Sequence, residues 1–152
     1  AIDPAFYLEV SESGEELTLE PKLLLARRVA RWVGAANLVG EFAFRHNDDE
    51  RSEDGEVIDR EWEPALTAGL AYEFSSIVSL GVEARYVAEY ENMKEKEASM
   101  LSLGPTLNLQ KGGVQLALGV LPQLVGSPAG SGHLNLSEFE RTRVRLILGL
   151  DL

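Results

Sequence analysis

The sequence predicts an all-β chain, an antiparallel up-and-down β-barrel of about eight strands. Three observations carry that prediction. Apolar and polar residues alternate with a period of two along nearly all of the 152 residues, and helical periodicity is hard to find. The connections alternate between short turns and long hydrophilic loops, and the aromatic residues gather at two levels along the strands.

The strand-like segments follow in order. The first is short, around Ala5 to Ser11. The second, Glu16 to Arg27, sets Leu17, Leu19, Leu23 and Leu25 against Thr18, Glu20 and Lys22. The third, Trp32 to Arg45, sets Trp32, Ala36, Leu38, Phe42 and Phe44 against Asn37, Glu41 and Arg45. In the fourth, Glu61 to Phe74, Trp62, Leu66, Leu70, Tyr72 and Phe74 oppose Glu61, Glu63, Thr67, Gly69 and Glu73. The fifth, Ile77 to Glu91, opposes Val78, Leu80, Val82, Tyr86 and Tyr90 to Ser79, Gly81, Glu83, Arg85 and Glu89. The sixth, Met100 to Gln110, and the seventh, Val114 to Leu124, repeat the scheme with leucines against Ser, Gly, Thr, Asn and Gln. The last, Arg141 to Leu152, places Arg141, Arg143, Arg145, Gly149 and Asp151 on one side and Val144, Leu146, Leu148, Leu150 and Leu152 on the other. Successive side chains of a strand point to opposite faces, so each segment has one greasy face and one polar face.

Between these segments, His46 to Arg60, Asn92 to Ala98 and Gly126 to Ser137 read as long loops. Short turns fall around Arg28 to Ala30, at Ser75-Ser76 and at Lys111-Gly112-Gly113. That arrangement, with both chain ends on the short-turn side, is the layout of a transmembrane barrel with an even strand number. The aromatics fit it: Trp32, Tyr72 and Phe74 fall at the short-turn end, and Phe42, Phe44, Trp62, Tyr86 and Tyr90 fall near the long-loop end, as two membrane-interface girdles. Pro21, Pro64, Pro105 and Pro122 lie inside strand patterns on the apolar face, where bulges or interrupted ladder bonds are expected.

Composition narrows the function classes. A chain of this length makes one domain, residues 1–152. Without cysteine it has neither disulfides nor thiolate metal sites, and a net charge of −11 argues against a nucleic-acid partner. No apolar run approaches the ~20 residues of a membrane-crossing helix. The chain opens at Ala1 without a Met or a leader pattern, which reads as a mature product or an excised piece.

The acidic tract Asn47 to Glu56 loosely echoes a calcium loop over Glu50 to Glu61, with Gly55 sixth and Glu61 twelfth, yet a solvated loop is the better reading and no metal site or cofactor is assigned. His46 and His133 are the histidines, with Ser131 and Ser137 near the latter, and no base, nucleophile and orienting acid are ordered by spacing, so no enzyme is expected. The polar faces carry the charged candidates Glu20, Lys22, Glu41, Glu83, Arg85, Glu89, Arg141, Arg143 and Arg145, read as a lumen charge network that locks a narrow, side-chain-filled interior. On that reading Arg143→Glu destabilises the barrel.

A soluble lipocalin-like barrel binding a small apolar ligand would show the same alternation with the greasy face inward. Mixed charges among small polar residues suit a lumen, and the girdles suit lipid outside. The stretches Ser99-Met100-Leu101-Ser102-Leu103-Gly104-Pro105-Thr106-Leu107, Leu116-Ala117-Leu118-Gly119-Val120-Leu121-Pro122-Gln123, Glu140 to Gly149, and Glu16 to Asn37 resemble the C-terminal part of uncharacterised bacterial outer-membrane porin-like β-barrel proteins. The resemblance covers most of the chain. It implies a structural or transport role in the outer membrane of Gram-negative bacteria. The bilayer and lipopolysaccharide would be partners there, and the barrel-assembly machinery a partner during insertion. Members of such families are usually longer, with additional N-terminal strands, and usually end in an aromatic residue, where this sequence has Leu152.

Overall fold

The computed structural model describes residues 2–14, 16–46, 58–91, 93–128, 130 and 132–150, with the backbone alone at 46, 58 and 59. Eight strands form: β1 (Asp3–Ser13), β2 (Glu16–Val29), β3 (Trp32–His46), β4 (Ile58–Glu73), β5 (Val78–Glu91), β6 (Glu95–Lys111), β7 (Val114–Ser127) and β8 (Thr142–Leu150). They lie side by side in sequence order in one antiparallel sheet, which curls into a half-barrel. Among the described residues no ladder joins β1 to β8, so the sheet keeps two open edges.

Alternation sets the register. Every ladder aligns greasy positions with greasy positions: Leu23 faces Phe6 and Leu38, Leu38 faces Leu66, Leu66 faces Tyr86, Tyr86 faces Leu101, and Leu118 faces Leu107 and Leu146. A slip of one residue would exchange the faces of a whole strand, so the pattern specifies the pairing strongly.

The turns follow from local chemistry. At the β6–β7 hairpin Gly112 and Gly113 both adopt positive φ, the requirement of a tight two-residue turn. Between β4 and β5 the Ser75 hydroxyl accepts hydrogen bonds from the backbone N–H of Ile77 and of Val78, at 3.2 and 3.1 Å. The stretch Asn92 to Ala98 departs from its expected reading as a loop. The β5–β6 turn closes on Met93 and Lys94, and β6 starts at Glu95, with Lys96 opposite Tyr90 and Glu95 opposite Glu91. Hydrophilic composition there marks a strand end standing beyond the apolar band. The tract 47–57, including most of the calcium-loop echo, lies outside the described residues.

The prolines interrupt the ladders as expected, and each does so on one side only. Pro21 keeps its pairing to Leu8 while the β2–β3 register is missing beside it. Pro64 pairs with Gly40 and breaks the ladder to β5; Pro105 pairs with Val82, Pro122 pairs with Thr142, and the β6–β7 ladder is interrupted between them. A proline lacks the N–H that one neighbour would accept, so one ladder survives and the other gaps. At that gap the backbones of β6 and β7 approach so closely that a Cβ on Gly104 would stand 1.8 Å from the carbonyl oxygen of Val120.

Among the described residues burial lies mainly on the polar face, with Ala88 and Ser99, paired on the other face, as exceptions. The buried apolar residues are Ala43, Val87, Ala88, Ala98, Met100 and Leu121, and Glu83, Ser102 and Gln123 are buried beside them. Many large apolar side chains of the other face are exposed, among them Phe6, Leu38, Leu66, Val82, Leu103 and Leu146. The polar face is therefore the concave side of the half-barrel.

Gly104→Ala should cost about 1–3 kcal/mol through the forced separation of β6 and β7. Gly34→Ala, whose nearest neighbour would be 3.9 Å away, should change stability by less than about 0.5 kcal/mol. Urea titrations of the two variants check the contrast.

Candidate functional site: the charged concave face

Shallow cavities line the concave face from one strand end to the other. At the long-loop end a cavity of about 280 Å³ is bounded by Glu41, Glu61, Glu63, Glu89 and Glu97. Mid-sheet, a cavity of about 190 Å³ lies between Glu83, Thr106, Asn108 and Arg145. At the short-turn end a cavity of about 380 Å³ is bordered by Arg28, Arg31, Glu73, Ser75, Ser76 and Gln110. The face thus runs from an acidic mouth to an end where arginines gather.

The acidic mouth is a product of register. Glu41 and Glu63 stand directly opposite each other on β3 and β4, an arrangement that repels. Nearby, Arg45 ties three strands together: its Nε donates to Glu16 Oε2 at 2.6 Å and its Nη1 to Glu61 Oε1 at 2.9 Å. Among the described residues no group of three His, Cys, Asp or Glu side chains converges as metal ligands would.

The expected lumen network shares one face but separates into smaller groups. Lys22 Nζ donates to Glu9 Oε2 at 2.8 Å and sits 3.0 Å from Glu20 Oε2. Arg145 Nη2 donates to Glu83 Oε2, linking β8 to β5 across the arc. Arg143 Nε donates to Glu140 Oε1, just before its own strand. Arg85 is half-buried, and its Nη1 has no hydrogen-bond partner among the described residues. Arg141 precedes β8, and its carbonyl accepts the backbone N–H of Gln123 at 2.9 Å. Glu41 and Glu89 face the acidic mouth with no ion pair among those described.

Glu9 and Glu140 are partners that reading by single strands missed. Glu9 is reached only once β1 and β2 are set in register; Glu140 was legible as the carboxylate three residues before Arg143. Partial burial raises the Glu140 carboxyl, but its own backbone N–H and the Arg143 guanidinium outweigh that and hold it below the usual carboxylate range.

The loop between β7 and β8 folds back onto the long-loop end of β7 through Asn135, which is 1% exposed. Its Oδ1 accepts from the Ser137 hydroxyl at 2.7 Å and from the backbone N–H of Ser137 and of Glu138, both at 3.3 Å. Its Nδ2 donates to the Ser127 carbonyl, and its own carbonyl accepts from Gln123 Nε2 on the concave face. The Asn135-Leu136-Ser137 spacing is the signal that would have found this turn, since an Asn side chain mimics the backbone two residues on. Ser137 is committed to that turn, and His133, at φ 65°, is exposed. The His46 side chain and Ser131 lie outside the described residues.

On the convex face the aromatics form two clusters. Trp62 stacks between Phe42 and Tyr90, with ring centroids 6.0 and 5.0 Å away, near the long-loop end. Trp32 meets Tyr72 edge-on at 5.0 Å, and Tyr72 meets Phe74 at 5.0 Å, near the short turns. Phe44 lies one step beyond Phe42 on the same face of β3, and Tyr86 stands opposite Leu66 below the upper cluster.

A sheet of this construction, matched along residues 12–152, fits the model of a family of unknown function, DUF6662. The chain belongs to that family. No curated protein and no solved structure matches it. The DUF6662 match takes in β2 to β8 whole and only the end of β1, so the acidic mouth, the Asn135 loop and the arginines of β8 all fall within it.

Two substitutions test the concave face. Arg145→Ala leaves the buried Glu83 carboxylate without its cation and should cost about 1–3 kcal/mol, most of it recovered by adding Glu83→Gln. Arg143→Ala breaks an exposed pair and should cost less than about 1 kcal/mol. The large effect thus moves to Arg145 from Arg143, where the sequence places it, and denaturant midpoints of the three variants check this. Asn135→Ala should release the loop, read as proteolytic cleavage between Pro128 and Arg141 at least tenfold faster than in the unaltered chain.

Proposed function

We propose that this chain is an integral outer-membrane β-barrel protein with a structural or porin-like transport role, seated with its convex face in lipid. The observation that carries this reading is the distribution of apolar surface. Large apolar side chains from Phe6, Leu8 and Val10 on β1 to Val144, Leu146 and Leu148 on β8 are exposed on one continuous face. Isolated exposed aliphatics are ordinary on a soluble protein, but a contiguous apolar face extending over a whole sheet marks a surface that meets protein or membrane. The two aromatic clusters bracket this face as interfacial residues bracket a hydrocarbon layer.

Strand length supports the same reading. β2 to β7 have 14 to 17 residues each, enough for the ~9 to 11 that a tilted strand needs inside the hydrocarbon with some to spare at each end. The soluble, lipocalin-like alternative would put the large aliphatics inside a calyx, whereas the concave face here brings charged groups such as Glu41, Glu83, Glu89 and Arg145 together with polar and apolar ones. A charged concave face would give a pore an ionic preference, and its acidic mouth favours cations over anions.

Leu38→Arg separates a lipid environment from water. Leu38 is 52% exposed in the middle of β3, so in water the change should be near neutral, while in a bilayer it should cost about 2–4 kcal/mol. The expected outcome is a loss of that size for folding into phosphatidylcholine vesicles, with the protein floating with the vesicles in a density gradient. A folded, monodisperse protein in buffer without detergent, indifferent to Leu38→Arg, would refute the proposal.

A further inference from the structure

We propose that the cavity at the short-turn end, walled by Arg28, Arg31, Ser75, Ser76 and Gln110, binds a phosphoryl oxyanion supplied by a membrane-lipid headgroup; the lipid as its source rests on the membrane reading above, while the binding chemistry does not.

Three hairpins build the cavity, which measures about 380 Å³. Arg28 stands near the end of β2 and Arg31 in the turn to β3; Glu73 ends β4, Ser75 and Ser76 lie in the turn to β5, and Gln110 lies one residue before the end of β6. All three hairpins are interior to the sheet, so the site holds whatever borders β1 or β8. Backbone bonds tie them together: the Glu73 N–H donates to the Arg31 carbonyl and the Gln110 N–H to the Ile77 carbonyl, both at 2.8 Å. The donors of the cavity therefore come from separate turns held in fixed relation.

What the cavity lacks is acceptors. The chain as a whole carries a net charge of −11, yet here two guanidinium groups meet one carboxylate, Glu73, which Arg28 Nη2 already contacts at 2.7 Å. Arg31 is exposed, and its guanidinium has no hydrogen bond or ion pair among the described residues, so its donors are open. Ser75 is set to donate as well. Its oxygen accepts from the backbone N–H of Ile77 and of Val78, which occupies both lone pairs and leaves the hydroxyl hydrogen for an outside acceptor. A phosphoryl group matches this arrangement. Guanidinium forks pair with it bidentately, and its oxygens point in several directions, where the two of a carboxylate share a plane.

Position names the source. Trp32 follows Arg31 in the chain and Phe74 precedes Ser75; with Tyr72 they make the convex-face aromatic cluster of the short-turn end, its ring centroids 5.0 Å apart. Aromatic residues of this kind sit at the headgroup level of a bilayer, so the arginines beside them stand where lipid phosphates are.

Inorganic phosphate, titrated calorimetrically into the full chain in a maltoside detergent, which carries no phosphate, should bind saturably. Arg31→Gln should weaken that binding about tenfold, the effect of losing a charge-assisted hydrogen bond. Lys94→Gln makes the same charge change in the β5–β6 turn, at the opposite strand ends, and should leave the affinity as it is. Glu73→Gln should tighten binding by freeing Arg28. For the source, Trp62→Phe leaves Trp32 as the single tryptophan. Chain-brominated phosphatidate should then quench Trp32 more strongly than chain-brominated diacylglycerol at equal mole fraction in mixed micelles, and adding Arg31→Gln should abolish the difference. Absence of phosphate binding, or a loss in Lys94→Gln equal to that in Arg31→Gln, overturns the site; phosphate binding with equal quenching by the two lipids overturns the lipid source alone. Vesicle flotation keeps the two readings apart: floating chains that take no phosphate overturn the site and not the bilayer placement, and chains that bind phosphate while monodisperse without detergent overturn the bilayer placement and not the site.

Discussion

Seven antiparallel ladders, each matching the two-residue alternation of its neighbours, are the constraint on which the rest of the structure depends. A soluble domain of this length is held by a packed apolar core. Here the buried apolar residues are few and small, with Met100 and Leu121 the largest, and the cohesion comes from backbone pairing. Pairing of that kind is worth most where water cannot compete for the same N–H and C=O groups, which is the condition inside a bilayer. Under the proposed membrane placement, the exposure of the aliphatic face and the dominance of the ladders would be two sides of one property.

Departures from regular pairing cluster where the concave face is most elaborate. The register of β5 and β6 shifts between Glu89 and Tyr90, and that of β6 and β7 shifts between Leu101 and Ser102, leaving Leu124 as the extra residue. Both shifts lie toward the long-loop end, beside the acidic cavity and the Asn135 turn. Bulges bend a strand and re-aim its side chains. Here they let Leu124 and Val125 both remain outward while Gln123 and Gly126 stay on the side that receives the Asn135 loop.

Much of the fold was legible because alternation has only one geometric meaning in a strand. Segments with clean alternation, such as Trp32 to Arg45 and Val114 to Leu124, sit inside observed strands with matching ends or small extensions. Charge is a poor sign of a loop here: Glu95, Lys96 and Glu97 are strand residues, and β4 begins at Ile58, inside the stretch His46 to Arg60 whose acidity suggests a loop. Composition reports whether a segment is wet, and the ends of long strands are wet too. The charged candidates were legible as residues sharing a face but not as pairs. Lys22 finds Glu9, Arg143 finds Glu140, and of the candidate carboxylates only Glu83 meets an arginine of β8.

The sequence by itself determined which residues share a face, how many strands there are, which prolines disturb the ladders, and where the aromatics gather, because each depends on the period of a single strand or on local turn chemistry. Only the tertiary structure decided that the polar face is concave, that Asn135 folds the loop between β7 and β8 onto β7, that Arg145 reaches Glu83 across the arc, and that no ladder joins β1 to β8 among the described residues. Those outcomes depend on curvature and stagger accumulated over eight strands, and no single strand carries that information.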